Sequence, residues 1–437
     1  MVATRAPAPP TVDRLSPRAG LAALAALRHG AGGLLPALER VRAELGDVFQ
    51  LTLPGFRPVV VAHPDAIRQI LVDQRAAFRW RHPRDPVTRL LRHGLLVTDG
   101  ALHDRLRAVI GRSCQRAHFE ARAGAVVAAT RRVAATWRPG RRYDLLAEMR
   151  KIALLSFEAV FFSHDCGPEL RALWRPLLRT LDYIGPGLWL LLPRGTPAPP
   201  HAAAALDAHL LRLIARRRAA PRPPDDLLSH LVQAFADDAL VRDQLLTMLI
   251  AGHDTSTAHL TWTLYLLGAH PHWLARVRDE VRGALGGAPP TPATVRALPA
   301  LRQVLRESLR LYPPIHALSR TATQEVELAG YRVAAGTRLL VSVYLVHRHP
   351  RYWAAPAAFR PERWAADPPP YPYSYVPFGG GPRNCVGGAF AQLEAPLVLA
   401  TLLQRWDLQV EARRVAPHMG ATLVPRASIG LRVEAPR

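Results

Sequence analysis

The stretch PFGGGPRNCVGGAFAQLE, Pro377 to Glu394, decides how this 437-residue chain is read. Its one cysteine, Cys385, follows Gly379, Gly380 and Gly381 and precedes a segment able to start a helix. Glycines remove every Cβ there, so backbone can approach a large flat group and turn N–H donors inward. Arg383 sets a permanent cation two residues before the thiol. A helix N-terminus behind a cysteine stabilises negative charge and lowers a thiol's pKa. A thiolate among backbone donors is what an axial sulfur ligand to haem iron requires. The bland alternative is a Gly-rich turn beside a structural cysteine, since free cysteine packs as a small apolar residue.

The same stretch resembles the cysteine-ligand loop of the cytochrome P450 family, F-x-x-G-x-R-x-C-x-G. Phe378, Gly381, Arg383, Cys385 and Gly387 fill that pattern without a gap, and Ala391 and Glu394 continue the usual helix. Further motifs occur upstream in the family's order. The longest helical stretch runs from Asp238 to about Gly268, about 45 Å at 1.5 Å per residue. At its centre stands Ala251-Gly252-His253-Asp254-Thr255-Ser256. Ala251 and Gly252 leave room for something bulky, and Thr255 can return a hydrogen bond to the Ala251 carbonyl. Alone this is a helix with one weak glycine step; beside Cys385 it matches the family's acid–alcohol motif. Glu307 and Arg310 share a helical face, in isolation an ordinary surface pair. With Phe359 to Trp364 (FRPERW) following, the resemblance joins Glu307, Arg310 and Arg363 into a buried charge network that supports the cysteine loop.

The resemblance covers nearly the whole chain and implies a mostly α fold with a small β-rich lobe. Haem is then sandwiched between the long central helix and the cysteine loop, in one domain spanning residues 1–437 with residues 1–20 loose. Cys385 is the implied iron ligand, with Phe378, Gly379, Gly387 and Ala251 against the cofactor. His103 and Arg107 lie at i, i+4 on a predicted helix, Gly100 to Cys114. On residue type alone His103 is a surface histidine; the resemblance assigns His103, Arg107, Arg320 and Arg383 to the haem propionates. It assigns Asp254 and Thr255 to proton relay, with Thr255 also hydrogen-bonding to dioxygen.

The implied activity is monooxygenation: one oxygen atom enters a C–H or C=C bond of a mostly apolar terpene, polyketide or fatty-acyl molecule, and the other leaves as water. The implied cofactor is haem b. NAD(P)H serves only indirectly, through a reductase and a ferredoxin or flavodoxin. The Arg/Ala-rich composition suggests a bacterial enzyme of secondary metabolism or lipid oxidation. Two alternatives stand beside this reading. One is an oxygen-independent haem-thiolate isomerase or dehydratase, against which the intact Asp254 and Thr255 argue. The other is a non-catalytic haem or ligand carrier.

Composition bounds the remaining classes. The formal charge is +23, and Lys151 is the only lysine. Such a balance invites a nucleic-acid partner, but the arginines are scattered through helices, and the densest run, Arg216 to Arg218, reads as a solvated helix end. We therefore expect no nucleic acid, and a basic face near Cys385 for an acidic electron donor. The cysteines, Cys114, Cys166 and Cys385, contain no CxxC pair and fit a reducing cytoplasm. The apolar runs Leu21 to Leu27 and Gly187 to Leu192 are too short to span a bilayer, so no transmembrane anchor is expected.

Local patterns complete the reading. Val48 to Leu53 and Val59 to Ala62 predict a hairpin around Pro54-Gly55, and Pro64 opens a helix. Residues 76–98 read as a loop bordering the substrate pocket, 120–180 as several helices, and 183–200 as an apolar lid. Ala202 to Arg218 is helical. Ser319 to Leu345 reads as short strands turning at Ala329-Gly330 and Ala335-Gly336, with Pro313, Pro314, Ile315 and Ala317 before them as pocket lining.

Overall fold

Apolar residues at helical spacing dominate the chain, and a computed structural model shows the helices they form. It describes residues 6–16, 20, 34–52, 55–82, 85–185, 198–366, 369 and 371–435. The run Leu21 to Leu27, Pro54 of the expected turn, the run Gly187 to Leu192 and most of the 183–200 segment lie outside the described residues.

The helices that position the site are α1 (Leu34–Leu45), α2 (Gly100–Ser113), α3 (Ala123–Ala134), α4 (Leu145–Phe161), α5 (Ala202–Arg218), α6 (Asp238–Ala269), α7 (Pro299–Leu311) and α8 (Gly388–Arg405). Local chemistry sets their starts. The Asp144 side chain accepts from Ala147 N–H ahead of α4, and Asp237 accepts from Ala239 N–H ahead of α6. Each cap satisfies a donor that helix geometry leaves orphaned. Pro299 takes the first turn of α7, where its missing N–H costs nothing.

The 32-residue α6 is buried on nearly every side between Val241 and Leu267, as a helix apolar all round must be. It packs against α4 and α5, and α8 packs against α3. Five of its hydroxyls are satisfied within the helix. The hydroxyls of Thr247, Thr255, Thr257, Thr261 and Thr263 each donate to the carbonyl four residues back, at 2.7–2.8 Å.

The smaller lobe is a five-stranded sheet. Its strands are β1 (Val48–Gln50), β2 (Val59–Val61), β3 (Phe78–Arg79), β4 (Leu318–Ala322) and β5 (Arg338–Val341), in the order β1-β2-β5-β4-β3. The expected hairpin is β1 against β2, with Phe49 opposite Val60. Strand β3 runs antiparallel to β4 with Arg79 opposite Thr321, so the next rung brings Trp80 to Arg320. The expected turns carry positive φ at Ala329, Gly330 and Gly336.

Four local expectations are corrected. Residues 6–16 are tied down rather than loose: Gln50 N–H donates to Pro10 O and Arg332 N–H to Pro7 O, both at 2.8 Å. Exposed edges offer donors that a proline-rich segment can accept. Residues 76–98 contain β3 and a short helix, Pro86–Leu91. The end of the predicted strand region, Val343–His347, is instead a short helix capped by the Ser342 hydroxyl. Arg217 is buried rather than solvated: its guanidinium pairs with Asp226 and donates to Phe162 O at 2.7 Å. No described helix is long and apolar enough to cross a membrane.

Candidate active site

Positive φ at Gly379 (+71°) and Gly381 (+66°) bends the cysteine loop back on itself, and Cys385 N–H donates to Phe378 O at 2.8 Å. A Cβ on Gly381 would lie 2.3 Å from the Leu71 carbonyl oxygen. That glycine therefore makes room for protein backbone rather than for a ligand. Arg107 of α2 grips the residue before the thiol, donating to Asn384 O at 2.8 Å and to its side-chain Oδ1 at 2.7 Å. It thus clamps the loop, where a hold on free carboxylates was expected.

Cys385 is exposed, yet burial pushes its thiol above the ordinary value. The two facts agree if the sulfur sits deep in the protein and meets solvent through an opening. A hydrogen bond from Gly387 N–H and the charge of Arg107 act the other way but do not win. The thiol lowering expected from the start of α8 is thus outweighed by desolvation.

On α6 the expected motif forms a break in burial. Ala251 is exposed and Gly252 and Thr255 are half-buried, while His253, Asp254 and Ser256 are buried. Thr255 Oγ1 donates to Ala251 O at 2.8 Å, as its spacing suggests. Gly252 faces inward: a Cβ there would lie 2.4 Å from the Phe157 ring of α4. Its missing side chain serves helix packing, and the accessible step belongs to Ala251. Asp254 turns to the interior, where Arg150 Nη2 donates to Oδ1 at 2.8 Å and Thr422 Oγ1 to Oδ2 at 2.7 Å. Nothing near Asp254 in sequence signals either partner.

A second group gathers around Trp80. Arg320 is buried, with its guanidinium 3.4 Å above the indole ring and one N–H donating to Ser319 O at 2.7 Å. Arg383 lies over the same ring at 4.9 Å and pairs with Asp99 at 2.8 Å. Burial, and then the charges of Arg81 and Arg383, hold Arg320 well below its ordinary pKa. Arg320 Nη2, Arg81 Nε and Trp80 Nε1 are buried without a hydrogen-bond acceptor among the described residues. His103 is buried nearby on α2, its Nδ1 2.9 Å from Asp104, and burial lowers its pKa.

The expected charge network is present behind the loop. Arg310 and Glu307 are fully buried and joined by paired bonds of 2.9 and 2.8 Å. Arg363 Nε reaches the same carboxylate at 3.1 Å, Arg360 N–H at 2.9 Å and Trp364 Nε1 at 2.9 Å. Arg310 also donates to the carbonyls of His347, Pro356 and Ala358. His347, which the sequence reading does not single out, relays this order to the loop: its Nε2 accepts from Val376 N–H at 2.8 Å. Burial drives its pKa to about 3, so the ring is neutral and can accept.

Comparison with known proteins decides the identity. The pattern that defines "Cytochrome P450" matches residues 21–431. The chain belongs to the cytochrome P450 family. It is similar to a cyclooctatin synthase and a cyclooctat-9-en-7-ol 5-monooxygenase, both of Streptomyces melanosporofaciens. The first is 31% identical, covering 88% of this chain and 86% of the relative; the second is 32% identical, covering 86% and 84%. A cytochrome P450DA heme domain has a similar fold, with a TM-score of 0.86, 25% identity and coverage of 99% and 98%. The chain is thus a cytochrome P450 monooxygenase, and its family's cofactor is haem. The residues present fit that group. An accessible thiol in a glycine loop supplies a soft donor, and the unsatisfied guanidinium and indole donors around Trp80 suit carboxylates.

Proposed function

We propose that this P450 is a terpene-class monooxygenase that oxidises an apolar small molecule with electrons from a separate ferredoxin or flavodoxin and its reductase. The observation that carries this reading is the accessible step at Ala251 and Thr255 on an otherwise buried α6, in a family whose similar members carry names of terpene-oxidising enzymes, a pentalenene oxygenase of Streptomyces avermitilis among them at 29% identity. The cofactor we assign is haem b, held by Cys385 and bordered by Phe378, Gly379, Gly387 and Ala251. Bound haem would supply the dioxygen-activating centre. Arg320, Arg383 and His103 would take its propionates, while Arg107 positions the loop through Asn384.

The chain's own part in the chemistry is proton handling and exclusion of water. Forming water from one oxygen atom consumes protons, and we assign their transfer to Thr255, whose hydroxyl is half-buried. Asp254 is bonded at both oxygens, so its share in a relay requires the release of Arg150 or Thr422. Before the strand of Arg320, Ile315 and Ala317 are half-buried and we assign them to the apolar pocket; Pro313 and Pro314 are buried. We assign the chain to the cytoplasm, as a single domain.

The test is a ferric Soret titration of the holoenzyme with cyclic terpene alcohols and, in parallel, fatty acids, followed by turnover under oxygen-18 gas. Terpenes should shift the band and acquire one labelled atom. A band that moves only for fatty acids, or product without label, overturns the reading.

A further inference from the structure

We propose that Glu158, His164 and His209 form a divalent transition-metal site, matched best to Zn2+, at the seam between α4 and α5. Glu158 lies in the last turn of α4 and is fully buried; His209, on α5, is 2% exposed. His164 is brought back over the end of α4 by Ser163, whose φ is +45°, and the N–H groups of Phe162 and His164 both donate to Glu158 O. The ligand atoms of the three side chains lie within 4.8 Å of one another.

The spacing leaves room for an ion between the three groups. His209 Nε2 stands 3.2 and 3.3 Å from the two Glu158 oxygens. His164 Nε2 is 3.9 Å from Glu158 Oε2 and 3.6 Å from Glu169 Oε1. Charge-assisted N–H···O bonds close to about 2.7–2.9 Å. Ligand atoms about 2.0–2.1 Å from a tetrahedral ion lie about 3.3 Å apart. The rings are tilted by 52° with centroids 5.6 Å apart, so both converge on the carboxylate without stacking.

Two atoms here await a partner. His164 Nε2 and Glu169 Oε2 are buried and make no hydrogen bond among the described residues. A buried carboxylate needs a counter-charge, which a bound cation supplies. Two imidazoles with one or two carboxylates suit zinc rather than magnesium or calcium, which prefer oxygen alone. Glu169 stands beside His164, its Oε1 3.6 Å from His164 Nε2, outside the three converging ligand atoms. The ion would cross-link α5 to the end of α4, a structural role separate from the oxidation chemistry.

The test uses untagged holoenzyme, stripped with a chelator, loaded with Zn2+ and gel-filtered. Bound zinc is counted by mass spectrometry and examined at the zinc X-ray absorption edge, which iron does not obscure. One zinc per chain is expected, with two imidazole nitrogens at about 2.0 Å and binding that weakens as pH falls through the imidazole range. His164→Ala and His164→Gln should each lower the count by one with an unchanged haem spectrum; His164 is chosen because its side chain is 17% exposed. No retained zinc in the native protein, or equal zinc in both variants, overturns the site.

Discussion

Two arginine clusters in this molecule look alike in composition and differ in completeness. Around Glu307, Arg310 spends its donors on one carboxylate and three carbonyls, and the carboxylate itself receives five hydrogen bonds. Burial alone would raise the Glu307 pKa, yet Arg310, Arg360 N–H and Arg363 bring it below the ordinary value. Around Trp80, Arg320 and Arg81 crowd each other's charge, and buried donors lack acceptors among the described residues. The first cluster is finished by the chain itself. The second has the shape of a site whose anionic partner arrives from outside, and it sits on the sheet where a cofactor's carboxylates are expected.

The largest effect should come from opening the finished cluster. Arg310→Ala leaves Glu307 charged and buried, a loss of about 3–5 kcal/mol, so denaturant unfolding should show severe destabilisation or little folded protein. Arg310→Lys should fail almost as badly, because an ammonium offers three donors in place of five. A stable Arg310→Ala holoenzyme would erase the distinction between the clusters.

Arg320→Ala should behave in the opposite way. The haem-free chain should keep its stability or gain some, since like charges are relieved, while haem transfers faster to an acceptor protein. Loss of a charged hydrogen bond of about 1.5–3 kcal/mol corresponds to roughly 10- to 100-fold weaker haem binding. Destabilisation of the haem-free chain without faster haem loss would make this cluster structural too.

A buried carboxyl lacking any arginine sharpens the contrast. Glu394 of α8 accepts from Ser256 Oγ, its other oxygen has no partner among the described residues, and burial raises its pKa to about 8. Folding therefore retains a proton that the unfolded chain releases above the ordinary carboxyl value of 4.5. Stability should fall as pH rises through this window, by about 1.4 kcal/mol per pH unit at most. The buried neutral histidines His259, His316 and His347, lowered to about 4, 4 and 3, produce the opposite slope only below the ordinary imidazole value of 6.5. Thermal unfolding between pH 6.5 and 8 isolates Glu394, and Glu394→Gln should flatten the curve there. An unchanged slope in that variant would show that the proton belongs elsewhere.

The smallest effect concerns the outer surface. Arg112 is exposed on α2, the helix that grips Asn384. If an acidic donor docks on this side, the second-order rate of haem reduction should fall with salt, and Arg112→Glu should lower the rate and flatten the slope. A rate indifferent to salt would indicate apolar docking.

Much of this was legible in the sequence because it is local. The cysteine loop, the span of α6, the Thr255 bond to Ala251 and the spacing of Glu307 and Arg310 each depend on residues a few positions apart. What escaped depends on distance along the chain. Gly252 read as space for a ligand, but its neighbour is Phe157, 95 positions earlier. Gly381 read the same way and meets Leu71. A missing Cβ announces close approach without saying what approaches. The partners of Asp254, Arg150 and Thr422, lie on other elements, and no periodicity points from one to the other. Arg107 was placed on the correct helix, but only tertiary contact reveals that it holds Asn384.

The bond from Thr422 to Asp254 also imposes an order in time. Its two residues are 168 positions apart, and synthesis at about 5–20 residues per second separates them by roughly 8–34 s. For that interval Arg150 is the one of the two partners already synthesised. The thiol of Cys385 also emerges late, 130 residues after Thr255. The two walls of the site are therefore synthesised at different moments, and the Asp254 carboxylate can be closed at both oxygens only after Thr422 has been made.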